Sequence, residues 1–373
     1  MHQNNKSNDP SQLFRSHSYQ PEKAPPTKPK KQHRQRSYKR WALITLAGIV
    51  FLLLGYIGWQ LWVINSFAKD MFQGNIAQVL RSGSIATDDN GRTNVLVLGF
   101  AGEDTDHGGA DLTDTLLVMS MHPERDDYLL SVPRDFYHRL SGERFGKINE
   151  AYGIGQRQAD ASSDTDNSGA VFAGEQITEI TGLEIHYHLV VDFVAVEEIV
   201  DAVGGISVHI ESSDQRGLYD PNFPPEEGGP LRLENGTHDI DGQTALRLTR
   251  ARGSAGGYGF TQSDFDRTRN QQSVVRGIAA ELSWQRFMLP WQSQRIFGNL
   301  AQHVNNDIPA GQSLRLSRAI RGLTDEQVRS YTFRDLDGRN LVREYTTPDG
   351  LAALIPTAGL EEYAEIHSFI DQL

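Results

Sequence analysis

Six arginines fall between positions 247 and 276: Arg247, Arg250, Arg252, Arg267, Arg269 and Arg276. The same stretch has no lysine and only two acids, Asp264 and Asp266. Six cations against two anions give it a charge of +4, inside a chain whose formal net charge is −12. A guanidinium is a planar fork of donors that matches the oxygens of carboxylates and phosphates, whereas lysine is a compact point charge. Arginine without lysine therefore points to geometric recognition of an oxyanion. The expectation is that these side chains hold a pyrophosphate, and that the rest of the domain brings a metal and an acceptor to it.

Two predicted helices carry the arginines. Asp241 has the position of an N-cap for a short helix that fails by Gly253, with Arg250-Ala251-Arg252 near its exit. If that tripeptide is extended, both guanidinium groups leave the same side. The glycine-rich run Gly253–Gly259 that follows could flex over a ligand. Ser263-Asp264-Phe265-Asp266 has capping-box spacing, which predicts a second helix reaching to about Leu282. On it, Arg267, Gln271, Val274, Ile278 and Leu282 form one stripe. Most of that stripe is apolar and must face a core, so Arg267 and Gln271 point inward in the first turns. A buried guanidinium demands an anion, either a ligand or an internal acid such as Asp114 or Asp135.

Other loops bring acids. Asn94–Gly99 is an apolar run of strand length that leads into GFAGEDTDHGGADLTDT, with Asp114 just before the next run. Glycines permit close backbone approach to a ligand, and carboxylates suit a hard cation such as Mg²⁺, although an acidic surface turn would look the same. Ser131-Val132-Pro133-Arg134-Asp135 sets an arginine and an acid at a strand terminus, or merely ends the strand. Lys147–Ala151 could open a helix with Asn149 as its cap, and Gln158–Ser168 reads as a mobile surface loop.

The elements that must position these loops read as an α/β fold. Apolar runs at Asn94–Gly99, Thr115–Met121, Tyr128–Val132, His186–Phe193 and Ile206–Ile210 have strand length, while GAVFAGEQITEITG and Val194–Val203 look helical. This pattern predicts a central mixed β-sheet flanked by helices on both faces. Trp284–Gln302, Gln312–Leu323 and Gln327–Tyr345 read as closing helices and a last strand or two, with no second catalytic constellation. No period repeats along the chain.

The N-terminal part is of another kind. Residues 41–64 are 24 positions without Asp, Glu, Lys, Arg or His, and as a helix they would span about 36 Å, enough to cross a bilayer core. The length of the run and of the segment before it favours one uncleaved transmembrane helix over a signal peptide. Residues 1–40 carry ten Lys/Arg against two acids, leaving 26 basic and 46 acidic residues afterwards. The positive-inside rule then places a disordered basic tail, residues 1–40, in the cytoplasm and the remainder outside. Topology explains the basic run without nucleic acid, which is not expected as a partner. Residues 65–84 look like a helical stalk, and residues 85–373 like a single extracytoplasmic domain. The chain has no cysteine, which excludes disulfides and thiolate metal sites.

Taken in order, NVLVLG, TDTLLV, SVPRD, KINEA, VDAVGG, DGQTAL with Arg250 and Arg252, and DFDRTRNQQ resemble the LytR-CpsA-Psr family of bacterial cell-wall ligases. The resemblance covers roughly residues 85–285 and extends to the short basic tail and single span. It implies transfer of a glycan-1-phosphate from a polyprenyl pyrophosphate carrier to an acceptor on peptidoglycan, with Mg²⁺ as cofactor and Mn²⁺ as a substitute, at the cell membrane. By matched position, Asp114 would bind the metal or act in catalysis. Arg134, Arg250, Arg252, and Arg267 with Gln271 would grip the pyrophosphate, with Arg134, Arg252 and Arg267 counted as catalytic. The polyprenyl chain would lie in an apolar groove between sheet and helices. Two positions depart from the family. Phe100-Ala101-Gly102 stands where an acid is common, so a second metal ligand must come from Glu103, Asp104, Asp106, His107 or Asp111, and Asp104 is the choice made here. Asn270 replaces an arginine, and Arg269, one residue earlier, is turned about 100° away from it. A polyprenyl pyrophosphate phosphatase with water as acceptor is one alternative. A non-catalytic, membrane-anchored wall-binding or regulatory protein is the other.

Overall fold

The computed structural model describes residues 34–72, 74–81, 83–100, 112–159, 167–253, 256–260, 264–281, 303–322, 328–334 and 338–373. The chain forms two units, Met1–Tyr56 and Ile57–Leu373. Helix α1 (Arg34–Phe72) begins in the first and ends in the second. Its stretch Ile44–Met71 is long and apolar enough to cross a membrane by length and composition. Large apolar side chains such as Phe51 and Leu52 are exposed along it, as expected of a helix whose apolar surface is met by lipid rather than by protein. The stalk is less separate than its sequence suggests. Ala68 is already buried, and Met71 packs beside Ala195, Ile199 and Val304. After it, α2 (Ile76–Leu80) is closed by a reciprocal capping box between Asn75 and Gln78.

Three strands follow, β1 (Thr93–Phe100), β2 (Thr113–Met121) and β3 (Tyr128–Ser131). A hairpin of β4 (Tyr137–Ser141) and β5 (Arg144–Lys147) leads through a 3₁₀ turn, Ile148–Glu150, into α3 (Ala151–Gln158) and then α4 (Ser168–Thr181). Strand β6 (Tyr187–Asp192) hands directly to α5 (Phe193–Val203), with Asp192 Oδ1 accepting from Ala195 N at 2.7 Å as its cap. Four short strands form two separate antiparallel pairs, β7 (Ile206–Ile210) with β10 (Gly236–Ile240) and β8 (Leu218–Asp220) with β9 (Leu231–Leu233). The arginine-bearing helices α6 (Gly242–Arg250) and α7 (Asp264–Glu281) come next. The remaining described elements are β11 (Val304–Asn306), α8 (Ala310–Gly322), β12 (Arg329–Tyr331), β13 (Val342–Thr346), β14 (Ala352–Pro356) and α9 (Ala364–Ile370).

The central sheet has the order β11-β6-β1-β2-β3-β12. Strand β1 is parallel to β6 and antiparallel to β2, and β3 is parallel to β12, so the sheet is mixed. Successive residues of β1 and β2 point to opposite faces, yet both faces are buried. Leu96, Leu98, Leu116 and Val118 join a core with α3, α4 and α9, while Val95, Val97, Leu117 and Met119 join one with α8 and Val275 of α7. That is why these strands read as unbroken apolar runs. A third core gathers α5, β7–β10, α6 and Val274 of α7. Helix α7 is thus wedged between two cores, with neighbouring valines buried in different ones.

Two local expectations change. Asn149 does not cap α3; it sits inside the 3₁₀ turn, and the helix begins after Glu150. The C-terminal part supplies more than closing elements, because β11 and β12 become the two edges of the central sheet. Their three-residue lengths leave too little periodicity to read from sequence. Most of Gln158–Ser168, Trp284–Gln302 and the whole of Ala101–Asp111 lie outside the described residues.

Candidate functional site

The strand register collects the predicted loops at one edge of the sheet. Phe100 pairs with Thr113 and with Asp192, and Leu130 pairs with Tyr331. The C-terminal ends of β1, β3, β6 and β12 and the N-terminal end of β2 therefore lie together. Asp114 starts β2 at this edge, and Arg134 follows β3 there. Arg134 Nη1 is ion-paired and hydrogen-bonded to Asp114 Oδ1. On its other side, Arg134 Nε is 3.7 Å from Asp135 Oδ2 and, though buried, makes no hydrogen bond. Asp135 Oδ1 in turn accepts from Lys147 Nζ at 2.7 Å. Asp114, Arg134, Asp135 and Lys147 thus form a row of alternating charges.

Backbone contacts fix the row. Asn149 N donates to Arg134 O at 3.3 Å, Thr113 Oγ1 donates to Asn149 O at 3.3 Å, and Ile148 N donates to Phe136 O at 2.8 Å. The KINEA segment is therefore the brace that holds the Arg134 turn beside the start of β2. Lys147 is a part of the row that the motifs alone do not single out. The available signal was a lysine at a strand terminus, opposite the Arg-Asp pair that ends another strand.

Helix α7 ties this edge to α6. Gln272 Nε2 donates to Ser131 Oγ at 2.9 Å and to Tyr331 O at 3.3 Å, and Arg276 Nη2 donates to Ser330 Oγ at 3.0 Å. Ser330 lies one residue farther from the edge than Tyr331, so moving toward the helix N-terminus moves outward past the strand ends. Arg267, five residues before Gln272, is about 7 Å farther along that axis. It is 3% exposed. Gln271 Nε2 donates to Thr249 O at 3.2 Å, which lays the last turn of α6 against the same part of α7. Asp241 begins α6 as expected, its Oδ1 accepting from Thr244 N at 2.9 Å. Arg252 leaves α6 two residues after its end, its main-chain N donating to Asp220 Oδ2 at 2.8 Å.

The six arginines do not form one patch. Arg247 is a brace, donating to the carbonyls of Gly228 and Gly229 at 2.9 and 3.0 Å. Arg250 is paired with Glu227 at 2.8 Å and stands over the Phe223 ring. Arg269 points outward, toward Glu211 O and Asp266, so it does not take the place of the residue at 270. Arg276 binds Ser330, and burial pushes its pKa down. Of the remaining candidates, Arg134 stands at the sheet edge, Arg267 is buried on α7, and Arg252 follows α6 with its main chain tied to Asp220. Of the two acids offered as internal partners for Arg267, Asp114 is paired with Arg134 and Asp135 with Lys147.

The glycine-rich run after Arg252 is pinned rather than loose at Tyr258. Tyr258 and Tyr219 exchange two main-chain hydrogen bonds of 3.0 Å, and their rings stack at 5.2 Å. Arg216 lies 3.9 Å over the Tyr258 ring.

A divalent cation would need several oxygen ligands at this edge. Asp114 offers one carboxylate there, with Oδ1 engaged by Arg134. Asp104 and the other acids of its loop lie outside the described residues. Among the described residues no group of three or more His, Asp or Glu could hold a metal, so they do not complete such a site. A separate cleft of about 360 Å³ lies between β9, β10 and α6, lined by Arg232, His238, Asp239 and Arg247 among others. None of Asp114, Arg134, Arg252, Arg267 or Gln271 lines it.

A family model described as the LytR_cpsA_psr family matches residues 66–350. Among curated relatives, the polyisoprenyl-teichoic acid–peptidoglycan teichoic acid transferase TagU of Oceanobacillus iheyensis is 24% identical over 290 residues, 75% of this chain and 80% of the relative. The probable cell wall biosynthesis protein LcpB of Corynebacterium glutamicum is 27% identical over 237 residues, 62% of this chain and 50% of the relative. Among solved structures, B. subtilis TagV superposes with a TM-score of 0.52 at 17% identity, covering 76% of this chain and 98% of TagV. TagT bound to LI-WTA superposes with a TM-score of 0.53 at 19% identity, covering 78% and 94%. These superpositions establish the shared fold.

Proposed function

The chain belongs to the LytR-CpsA-Psr family, and on that premise we propose that it is a membrane-anchored phosphotransferase. It moves a glycan-1-phosphate from a polyprenyl pyrophosphate carrier to a hydroxyl of peptidoglycan. The hydroxyl oxygen forms a new bond to the glycan-bearing phosphorus, the bond from that phosphorus to the bridging oxygen breaks, and polyprenyl phosphate leaves, the hydroxyl proton passing to the departing phosphate oxygen. Such a transfer is mostly positioning and neutralisation of charge on the phosphoryl oxygens, which forked guanidinium donors supply. Arg134, Arg252 and Arg267 take that part. Asp114 orients Arg134, and Gln271 holds the α6 exit against α7. Arg250, whose Nη1 is held by Glu227, keeps its other donors for the substrate.

One observation carries the reading. The paired glutamines Gln271 and Gln272 fasten α7 at once to the last turn of α6 and to the ends of β3 and β12, which supports a site that draws on the segments carrying Arg252 and Arg267 together with the Asp114–Arg134 pair. Elsewhere the chain is acidic and would repel a doubly phosphorylated carrier, which makes a local cationic site the expected remedy. Helix α1 would anchor the enzyme in the membrane that holds its lipid substrate, with the basic N-terminal tail cytoplasmic and the domain outside. The resemblance carries the expectation of Mg²⁺; Asp114 would be one ligand, and the rest would come from the Glu103–Asp111 loop.

The test is transfer from a polyprenyl pyrophosphate-linked saccharide to a peptidoglycan acceptor, with Arg252→Ala and Arg267→Ala. Loss of product in both, with melting temperatures near wild type, is the expected result. Wild-type-like turnover by either would remove that residue from the site. Release of polyprenyl phosphate without acceptor product would convert the reading to hydrolysis.

A further inference from the structure

Asp220 is a charged residue almost out of contact with water, 3% exposed, and the transfer chemistry gives it nothing to do. It ends β8, outside the central sheet at whose edge Asp114 and Arg134 stand. Its Oδ2 accepts from Arg252 N at 2.8 Å and from Gly253 N at 2.9 Å. Its Oδ1 accepts from Asn222 N at 3.0 Å and Asn222 Nδ2 at 2.7 Å. Every one of these contacts is a donor. The carboxylate is therefore built for the ionised form, and the geometry has a direct chemical cause: two consecutive main-chain N–H groups at the exit of α6 need an acceptor once the helix stops at Arg250. Burial works against the charge, but the hydrogen bonds outweigh it and hold the Asp220 pKa below the ordinary carboxylate range.

The neighbouring residues tighten the same point. Gly253 has φ of +62°, and a Cβ there would meet Phe260 Cδ2 at 2.2 Å, so the chain turns away immediately after Arg252 in a way that requires glycine. One residue from Asp220, Tyr219 clasps Tyr258 across the far end of the glycine-rich run. Both ends of that run are therefore fastened to β8: the start by Asp220, the far end by the tyrosine pair under Arg216. Arg252 stands at the fixed end.

We propose that Asp220 is a positioning residue for the transfer site, setting the main chain at Arg252 so that its guanidinium meets the phosphates of the donor. The proposal rests on the reading of Arg252 given above, and it assigns a role in the reaction to β8, a strand outside the central sheet. Asp220 acts through Arg252 and touches no substrate.

The discriminating substitution is Asp220→Asn, which keeps the shape and replaces one acceptor oxygen with an NH₂ group. Since both oxygens face only donors, the amide must aim its hydrogens at other hydrogens on one side or the other. A displacement of about 1 Å at a group that positions substrate is worth roughly 10²-fold in rate. The measurement is transfer by the full-length protein in nanodiscs, with a polyprenyl pyrophosphate-linked disaccharide as donor, for Asp220→Asn, Arg252→Ala and the double variant, with thermal melting alongside. Expected are a rate about 10² lower for Asp220→Asn, and a double variant within a few-fold of Arg252→Ala alone, since a residue that works through Arg252 has nothing left to position. A merely structural carboxylate would lower the rate of Arg252→Ala by its full factor again, and that multiplicative result would overturn the proposal, as would wild-type rates for Asp220→Asn. If Asp220→Asn does not fold, Tyr258→Ala loosens the other end of the run, and the same coupling to Arg252→Ala decides. Wild-type turnover by Arg252→Ala would instead bring down the functional reading and the positioning role together; an inactive Arg252→Ala beside a fully active Asp220→Asn would bring down only the latter.

Discussion

Replacing Arg134 by alanine separates folding from chemistry, because the structure sets very different sizes for the two effects. The Arg134 and Asp114 side chains remain 20% and 27% exposed, so their ion pair is partly screened by water. Asp135, on the other side, keeps Lys147 as a partner at 2.7 Å after the arginine is gone. A pair of this kind contributes about 1 kcal/mol to folding, equivalent to roughly 2–4 °C in melting temperature for a domain of this size. If the guanidinium stabilises the transferring phosphoryl group, its loss costs about 10³–10⁵ in rate, or roughly 4–7 kcal/mol. Arg134→Lys should recover the folding term and little of the rate, because an ammonium cannot present the paired donors of the fork. The assay is single-turnover transfer beside thermal melting for wild type, Arg134→Ala and Arg134→Lys. A rate within tenfold of wild type for Arg134→Ala, or a rate loss that tracks a collapse in melting temperature, would refute the reasoning.

Three further outcomes are expected. His138 is fully buried, and burial pushes its pKa down from 6.5 to about 4. The folded state then binds fewer protons than the unfolded chain between those values, so stability should fall by roughly 3 kcal/mol as pH drops from about 6.5 to about 4, and His138→Phe should flatten that limb in chemical denaturation. Gly174→Ala would set a Cβ 2.3 Å from His188 Nε2, the ring whose Nδ1 is bound to Asp307 at 2.6 Å; a loss of about 1–3 kcal/mol in unfolding free energy is expected, and a neutral result would mean that the ring swings clear. Asp114→Asn should lower transfer and shift the Mg²⁺ concentration for half-maximal residual rate upward, read by metal titration; an unchanged titration midpoint would remove Asp114 as a ligand.

The parts of this protein legible in its sequence are those where one physical signal dominates. Two-sided burial wrote β1, β2 and β3 as apolar runs, and the Asp241 cap marks where α6 begins. The inward stripe on α7 correctly placed Val274 and Ile278 against a core and turned Arg267 and Gln271 inward, but the Gln271 amide is bound to Thr249 O of α6, a partner the stripe did not indicate. What sequence could not give was partnership. Arg134 rather than Arg267 takes Asp114, and Glu227 takes Arg250, because such pairings are set by strand register and loop path, not by spacing along the chain. The +4 stretch looked like a patch, yet helical rotation sends Arg269 outward and Arg276 into contact with β12. Asp220 gave no sign of itself either, since a lone acid in Leu218-Tyr219-Asp220-Pro221 reads as an ordinary strand end.

The claim at the centre of this account is that Arg134, Arg252 and Arg267 meet on one doubly phosphorylated head-group. A crystal structure of residues 57–373 soaked with a polyprenyl pyrophosphate tests it most directly. Phosphate oxygens within hydrogen-bond distance of all three guanidinium groups, beside Asp114, is the expected result. A head-group seated in the cleft lined by Arg232 and Arg247, with the three arginines untouched, would contradict it.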